Sequence, residues 1–287
     1  MYPSAFEYFA PSSVEEALDL LEKYGEDAKV MAGGQSLIPL LKLRFTTIPY
    51  IIDIGHIKDL NYIKHRNDDT EIGAIVKEHK IEYDDEISRR FPVMHDAAMQ
   101  IADPVVRNMG TIGGDLCHGD PANDMPAVSL SLNAVFNVKS KSSERRINAS
   151  DFFKDTFVTD LKSNEILLSI DVKNRNSTGA YFKYKRPAGD YSIAAVAVSF
   201  NLDNNVLSNV GIGLTSLANI PLKCVEAEEF LENKEYNKEN IDKAADIVSK
   251  SVDPSDDING SADFKRRVSG MVFKHAMENA YRRYNHV

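Results

Sequence analysis

Two glycine pairs, each standing in front of a helix-like apolar run, constrain this chain more than any other feature. The first lies in AGGQSLIPLLKLR, Ala32 to Arg44, and the second in TIGGDLCHGDPANDMPAVSL, Thr111 to Leu130. Glycine lacks a Cβ, so it can take φ > 0 and let another group approach the backbone closely. Backbone N–H groups freed there point at an anion, and a helix start adds unpaired donors. In the first motif Ser36 is placed to cap the helix, and Pro39 falls in its first turn, where a missing N–H costs little. In the second, Asp124 is placed to cap the next helix, Pro126 falls in its first turn, and Gly113 and Gly114 bring backbone against a ligand. Neither motif is the GxGxxG dinucleotide fingerprint or the Walker loop. The residues alone therefore describe one ligand held from two sides, without naming it. A glycine pair that only makes a turn is the alternative at each position.

The segments around these motifs alternate strand and helix. Ser13 and Glu16 form a capping box ahead of Val14, Ala17, Leu18 and Leu21 at helical spacing, and Gly25 ends that helix. AKVMAGG and YIIDIG read as buried strands, giving strand, glycine turn, helix, strand within the first 55 residues. TEIGAIV reads as a strand, and residues 84–101 as helical, with Pro92 opening a second helix. NAVFNVKS and EILLSIDV read as strands around SKSSERR, a solvated hairpin tip. After about residue 176 the pattern changes. GAYFKYKR, IAAVAVSFNLD and VLSNVGIGLTSLA form an antiparallel meander, and VEAEEFLE, Ile241 to Lys250 and Ala262 to Tyr284 are helical. Strands followed by helices make a separate α+β unit. The expected divisions are 1–55, 56–176 and 177–287.

A chain of 287 residues is too long for one small core. A net charge of -9 argues against general nucleic-acid binding, which calls for a basic surface, but leaves room for a local phosphate site. No apolar stretch reaches bilayer-spanning length. MYPSAFEYFAPSS lacks the basic region and apolar core of a secretion signal. Two cysteines, Cys117 and Cys224, cannot alone ligate an iron–sulfur cluster or a structural zinc. A reduced, cytoplasmic chain is the expectation.

AGGQSLIPLLKLR, ADPVVRNMGTIGGDLCHGDPANDMPAV and GDYSIAAVAV together resemble the FAD-binding medium subunit of molybdenum hydroxylases, of the carbon monoxide dehydrogenase and aldehyde oxidoreductase group. The likeness runs in order along nearly the whole chain, through GLTSLANIPL and the helical C-terminus. It implies the vanillyl-alcohol-oxidase-type FAD fold: two α/β subdomains clamping FAD, then a C-terminal α+β domain. It also implies that Ala32, Gly33, Gly34, Gln35, Ser36 and Leu37, with Thr111, Gly113, Gly114 and Asp115, embrace the FAD pyrophosphate. Asp124, Ile101, Leu167 and Lys183 match further FAD contacts, and Tyr191 an aromatic residue beside the isoalloxazine ring. Asp124 can be cap and ligand at once, and Lys183 reads equally as a strand-surface lysine. His118 reads as a loop residue and Cys117 as a small buried thiol. Gln35 stands where relatives often carry histidine, which removes a covalent attachment point and implies non-covalent FAD.

By the same resemblance, a large subunit holding the molybdenum cofactor oxidises the substrate and a small subunit holds iron–sulfur clusters. The medium subunit takes electrons onto FAD and passes them to an external acceptor, and it performs no chemistry on the organic substrate. The three would assemble as a heterotrimer or a dimer of heterotrimers, with an aldehyde the expected substrate class and carbon monoxide the other. A self-sufficient flavin enzyme of the same fold is the runner-up, and a flavin-free scaffold the third reading. The intact glycine motifs count against the scaffold.

Overall fold

Periodicity and caps account for the first elements. The computed structural model describes residues 2–285. It opens with β1 (Glu7–Phe9), α1 (Val14–Tyr24), β2 (Ala28–Met31), α2 (Leu37–Leu43) and β3 (Tyr50–Asp53). Ser13 Oγ accepts the Glu16 N–H at 3.1 Å, and Gly25 ends α1 at φ 56°. The Glu16 carboxylate reaches one residue further back than a standard box, accepting from Ser12 N at 2.8 Å. The three strands form a parallel sheet in the order β1-β3-β2. Val14, Ala17, Leu18 and Leu21 of α1 pack with Ile52 and Ile54 in one core.

Next come β4 (Ile63–His65) and β5 (Asp69–Gly73), then α3 (Glu78–Glu82), α4 (Asp85–Arg90), α5 (Pro92–Ala98), α6 (Pro104–Met109), α7 (Ile112–His118) and α8 (Asp124–Ser131). After these follow β6 (Val135–Lys139), β7 (Glu144–Asn148), α9 (Ala149–Phe152), β8 (Phe153–Asp155), β9 (Val158–Thr159) and β10 (Ile166–Lys173). The sheet here is antiparallel, ordered β4-β5-β10-β6-β7. The expected partner of NAVFNVKS was EILLSIDV across a charged tip. The tip instead turns β6 into β7, so the second half of SKSSERR is itself a strand, and β10 pairs on the other side of β6. Nor is the tip merely solvated. Lys141 pairs with Asp19 and Glu22 of α1, each at 2.8 Å, and Lys139 pairs with Glu15 at 3.3 Å. Such exposed pairs add little stability but fix how the hairpin lies on α1.

The last part holds β11 (Thr178–Tyr184), β12 (Ala194–Asp203), β13 (Val206–Thr215) and β14 (Leu222–Lys223), then α10 (Val225–Leu231), α11 (Lys238–Ser251) and α12 (Ala262–Asn285). The strands run as the expected meander. AAVAVSF is apolar except for Ser199, because β12 is buried on both faces. Ala195 and Ala197 enter the core of the middle region, while Ala194, Val196, Val198 and Phe200 enter the core beneath α10, α11 and α12.

Helix α8 lies directly on β13. A Cβ at Gly213 would come within 2.7 Å of the Ala127 carbonyl carbon, and one at Gly211 within 2.8 Å of that of Ser131. Ser199 Oγ donates to Ser131 O at 2.8 Å across the same contact. Gly213→Ala should therefore push α8 off the sheet and cost about 1–3 kcal/mol by overpacking. A denaturant midpoint equal to wild type would contradict this packing.

Candidate functional site

Both glycine motifs converge at the end of α6. Gly33 lies so close to Met109 and Gly110 that a Cβ on it would sit 2.9 Å from the Gly110 Cα, with the Met109 carbonyl oxygen nearer still. Gly113 packs as tightly on Ala74, where a Cβ would meet the carbonyl oxygen at 2.5 Å. These two glycines are thus required by chain-on-chain approach. Gly34 is different: at φ 71° it turns the chain in the left-handed region, which favours glycine.

The two loops differ in what they offer a ligand. Ser36, the expected cap of α2, takes an α-helical conformation and makes no capping bond. Among the described residues, no acceptor takes the backbone N–H groups of Gly33, Gly34, Gln35, Ser36 or Leu37. Consecutive open donors of this kind suit an anion. The TIGG loop spends its donors within the chain. Ile112 N donates to Val76 O at 3.0 Å, Gly113 N to Ala74 O at 2.9 Å, Gly114 N to Thr111 Oγ1 at 3.1 Å and Asp115 N to Thr111 O at 2.9 Å. It presents bare backbone at exposed Gly114.

The expected cap of α8 is also reassigned. Asn123 holds the cap position without a side-chain capping bond, its amide donating instead to Asp115 O at 2.8 Å, and Asp115 Oδ2 accepts the Met125 N–H at 3.0 Å. Asp124, the first residue of α8, turns its carboxylate to β11 instead. Tyr181 donates to Oδ1 at 2.5 Å and Lys183 Nζ to Oδ2 at 2.8 Å. Lys183 is not a strand-surface lysine, since it is 8% exposed. It also donates to Gln100 O at 3.2 Å, and Arg107 Nη1 donates to Ile101 O at 2.9 Å, so the backbone around Ile101 is held from two sides. Leu167 is buried on β10 opposite Val138.

Tyr191 sits in the β11–β12 loop with half its surface exposed. Desolvation and the carboxylates of Asp120, Asp115, Asp124 and Glu78 push its hydroxyl up to about 12, so it stays protonated. Gly189 of the same loop, at φ 80°, would bring a Cβ to 3.1 Å from Ala102 O, which places the loop against the segment after Ile101. Burial pushes the Cys117 thiol up to about 12, as suits an inert thiol. His118 ends α7 rather than lying in a loop, and its ring packs on Phe157 with centroids 5.1 Å apart.

Tyr181, Arg107 and Glu78 were not expected. Tyr181 was legible in principle, because it stands two residues before Lys183 on a strand and so shares its face. Glu78 gave no signal. It is 3% exposed, and its Oε2 is buried without a hydrogen-bond partner. Burial, then Asp124, push its carboxyl up to about 8, against the opposing pull of Arg107, Lys77 and Lys183. Burial likewise raises Asp124, despite Lys183 and Tyr181, and raises Asp115 well above the usual range.

Comparison with known proteins decides the family. Residues 4–172 match the family described as the FAD binding domain in molybdopterin dehydrogenase, and residues 179–280 the CO dehydrogenase flavoprotein C-terminal domain. The chain belongs to the FAD-binding medium chains of the molybdopterin dehydrogenases. It is 39% identical over 285 residues to the carbon monoxide dehydrogenase medium chain of Hydrogenophaga pseudoflava, covering 99% of each chain. It is 38% identical over 269 residues to the glyceraldehyde dehydrogenase medium chain of Sulfolobus acidocaldarius, covering 93% of this chain and 95% of the relative. A solved carbon monoxide dehydrogenase from Hydrogenophaga pseudoflava, lacking the Mo-pyranopterin moiety of its cofactor, superposes with a TM-score of 0.96 at 39% identity over 99% of each chain. This is therefore the flavoprotein medium subunit of a multi-subunit molybdenum hydroxylase, with the α+β fold of that subunit. No helix among the described residues is long and apolar enough to cross a membrane.

The raised carboxyl of Glu78 gives a signed expectation. The folded chain keeps a proton there that the unfolded chain releases near pH 4.5. The stability this adds is complete below that value and is lost as pH rises towards about 8. Glu78→Gln should flatten the fall in urea midpoint between pH 5 and 8, leaving the part due to Asp115 and Asp124. An unchanged slope would show that Glu78 ionises normally.

Proposed function

We propose that this subunit holds one FAD non-covalently against the converging glycine loops and delivers its electrons to an external acceptor. The observation that carries this is the run of unpartnered backbone N–H groups from Gly33 to Leu37, in a loop whose first glycine packs against Met109 and Gly110 inside the FAD-binding region. Their donors suit a diphosphate, so the residues present fit the cofactor. Ala32 to Leu37 supply the anion loop, and Thr111, Gly113, Gly114 and Asp115 the opposing wall. Asp124 and Lys183 act as one buried unit that fixes the segment bearing Ile101, with Leu167 as backing. Tyr191 borders the ring system.

FAD, when bound, would supply the redox chemistry that links the complex's iron–sulfur clusters to an external acceptor. The chain's own residues bind and orient it and keep the nearby acids from repelling it: Lys183 and Arg107 offset their charge, and Glu78 retains a proton. We place the seams between subdomains after residues 55 and 176. The chain would assemble with the large molybdenum subunit and the small iron–sulfur subunit, as a heterotrimer or a dimer of two, in the cytoplasm. The substrate is read by the large subunit, and we carry forward an aldehyde. Relatives named for carbon monoxide and for glyceraldehyde stand at 39% and 38% identity, so both gases and aldehydes belong in the assay.

Acid precipitation of the purified chain should release its yellow chromophore to the supernatant, because Gln35 offers no attachment point. Colour retained in the washed pellet would establish a covalent link.

The isolated flavin-loaded chain should not oxidise aldehydes or carbon monoxide, yet should pass electrons to an acceptor once chemically reduced. In the assembled complex, stopped flow should show substrate-dependent bleaching of the flavin. Substrate turnover by the lone chain would revive the self-sufficient flavin enzyme.

A further inference from the structure

Lys77 stands between the two glycine motifs. Its backbone pairs with Thr111, the first residue of the TIGG loop, in an isolated antiparallel bridge. Flanking bonds hold that pairing: Glu78 N donates to Gly110 O at 3.1 Å and Ile112 N to Val76 O at 3.0 Å. The side chain runs to the other motif, and Nζ donates to Met109 O at 2.8 Å. That oxygen is the atom against which Gly33 packs. The ammonium is therefore anchored beside the first residue of the open-donor loop.

An ammonium carries three donors, and this one makes a single bond, to a neutral carbonyl. Among the described residues no carboxylate forms an ion pair with it. The nearest acids are otherwise occupied or shielded. Asp53 accepts from Tyr8 Oη at 2.6 Å and from Gly55 N at 2.8 Å, and Glu78 is buried and holds its proton. Burial pushes the Lys77 ammonium below its usual value, against the opposing pull of Asp53 and Glu78, neither of which bonds to it.

We propose that Lys77 is a cofactor-binding residue whose ammonium, anchored on Met109 O between the two glycine motifs, neutralises the diphosphate of FAD. This rests on the FAD reading above. The open N–H groups of Gly33 to Leu37 orient an anion by hydrogen bonding but carry no net charge, and Lys77 supplies the charge. Its bond to Met109 O sets the ammonium in advance, so little side-chain freedom is lost when the anion arrives.

The test uses the full chain stripped of flavin, titrated with FAD, ADP and riboflavin and followed by calorimetry and flavin fluorescence. Lys77→Met should weaken FAD and ADP by the same factor, about tenfold to a hundredfold for a lost charge-assisted bond, and leave riboflavin unchanged. The salt dependence of FAD binding should become shallower in that variant. Lys77→Arg should restore most of the affinity. Equal affinities and salt slopes in wild type and Lys77→Met would overturn the proposal, as would an equal loss for riboflavin, which would mark a structural role. A wild-type chain that binds no FAD would instead sink the FAD reading itself.

Discussion

The geometry of the site depends on one buried ion pair. Asp124 and Lys183 meet at 2.8 Å with side chains 6% and 2% exposed. Two charges taken out of water cost free energy that only close geometry and further hydrogen bonds offset. Tyr181 and the Gln100 carbonyl supply those bonds. Losing either partner would strand the other as an unpaired buried charge, a cost of about 3–5 kcal/mol. The pair joins the first residue of α8 to β11 and so locks the C-terminal sheet to the helices of the middle region. From there the constraint passes along the backbone. Lys183 holds Gln100, Arg107 holds Ile101, and α6 ends by presenting Met109 to Gly33.

Glycine serves this arrangement differently from place to place. At positions 33, 113, 211 and 213 a side chain would strike the protein's own backbone. Only where the resulting loop leaves its N–H groups unanswered does close packing leave donors free for a ligand. The first motif meets that condition. The second does not, because Thr111 and the carbonyls of Ala74 and Val76 consume its donors. A likeness of sequence between the two motifs thus conceals a division of labour: donors on one side, a smooth wall on the other.

Much of the fold was legible because its signals are local. Ser13 caps α1, Pro92 opens α5, and the turns between apolar runs declare the meander. The errors came where a partner lies far along the chain. Asp124 reads as a cap because its neighbours in sequence are helical, but its partners stand 57 and 59 residues away. The charged run after Ser140 reads as a tip, because nothing nearby shows that Lys141 meets α1. Strand β10 pairs with both β5 and β6, a choice that apolar pattern does not encode. Glu78 was invisible for a further reason: a carboxylate in a polar stretch reads as exposed, and only tertiary packing buries it.

That buried acid bears on how an acidic protein holds an anionic cofactor. Asp124 lies close enough to raise the proton affinity of Glu78, and the two together raise that of Asp115. Left fully ionised, they would repel an anion bound nearby, and more strongly through protein than through water. The fold answers each one separately. Asp124 is matched to Lys183, Asp115 is turned onto the N–H of Met125, and Glu78 keeps its proton near neutral pH. With the acids answered from within, the capacity left open among the described residues at the first motif lies with donors: the N–H groups from Gly33 to Leu37 and the two protons of the Lys77 ammonium not spent on Met109 O. The local field that a ligand meets is then set by unpaired N–H groups rather than by the net charge of the chain, and a protein of charge -9 can offer an anion a favourable site.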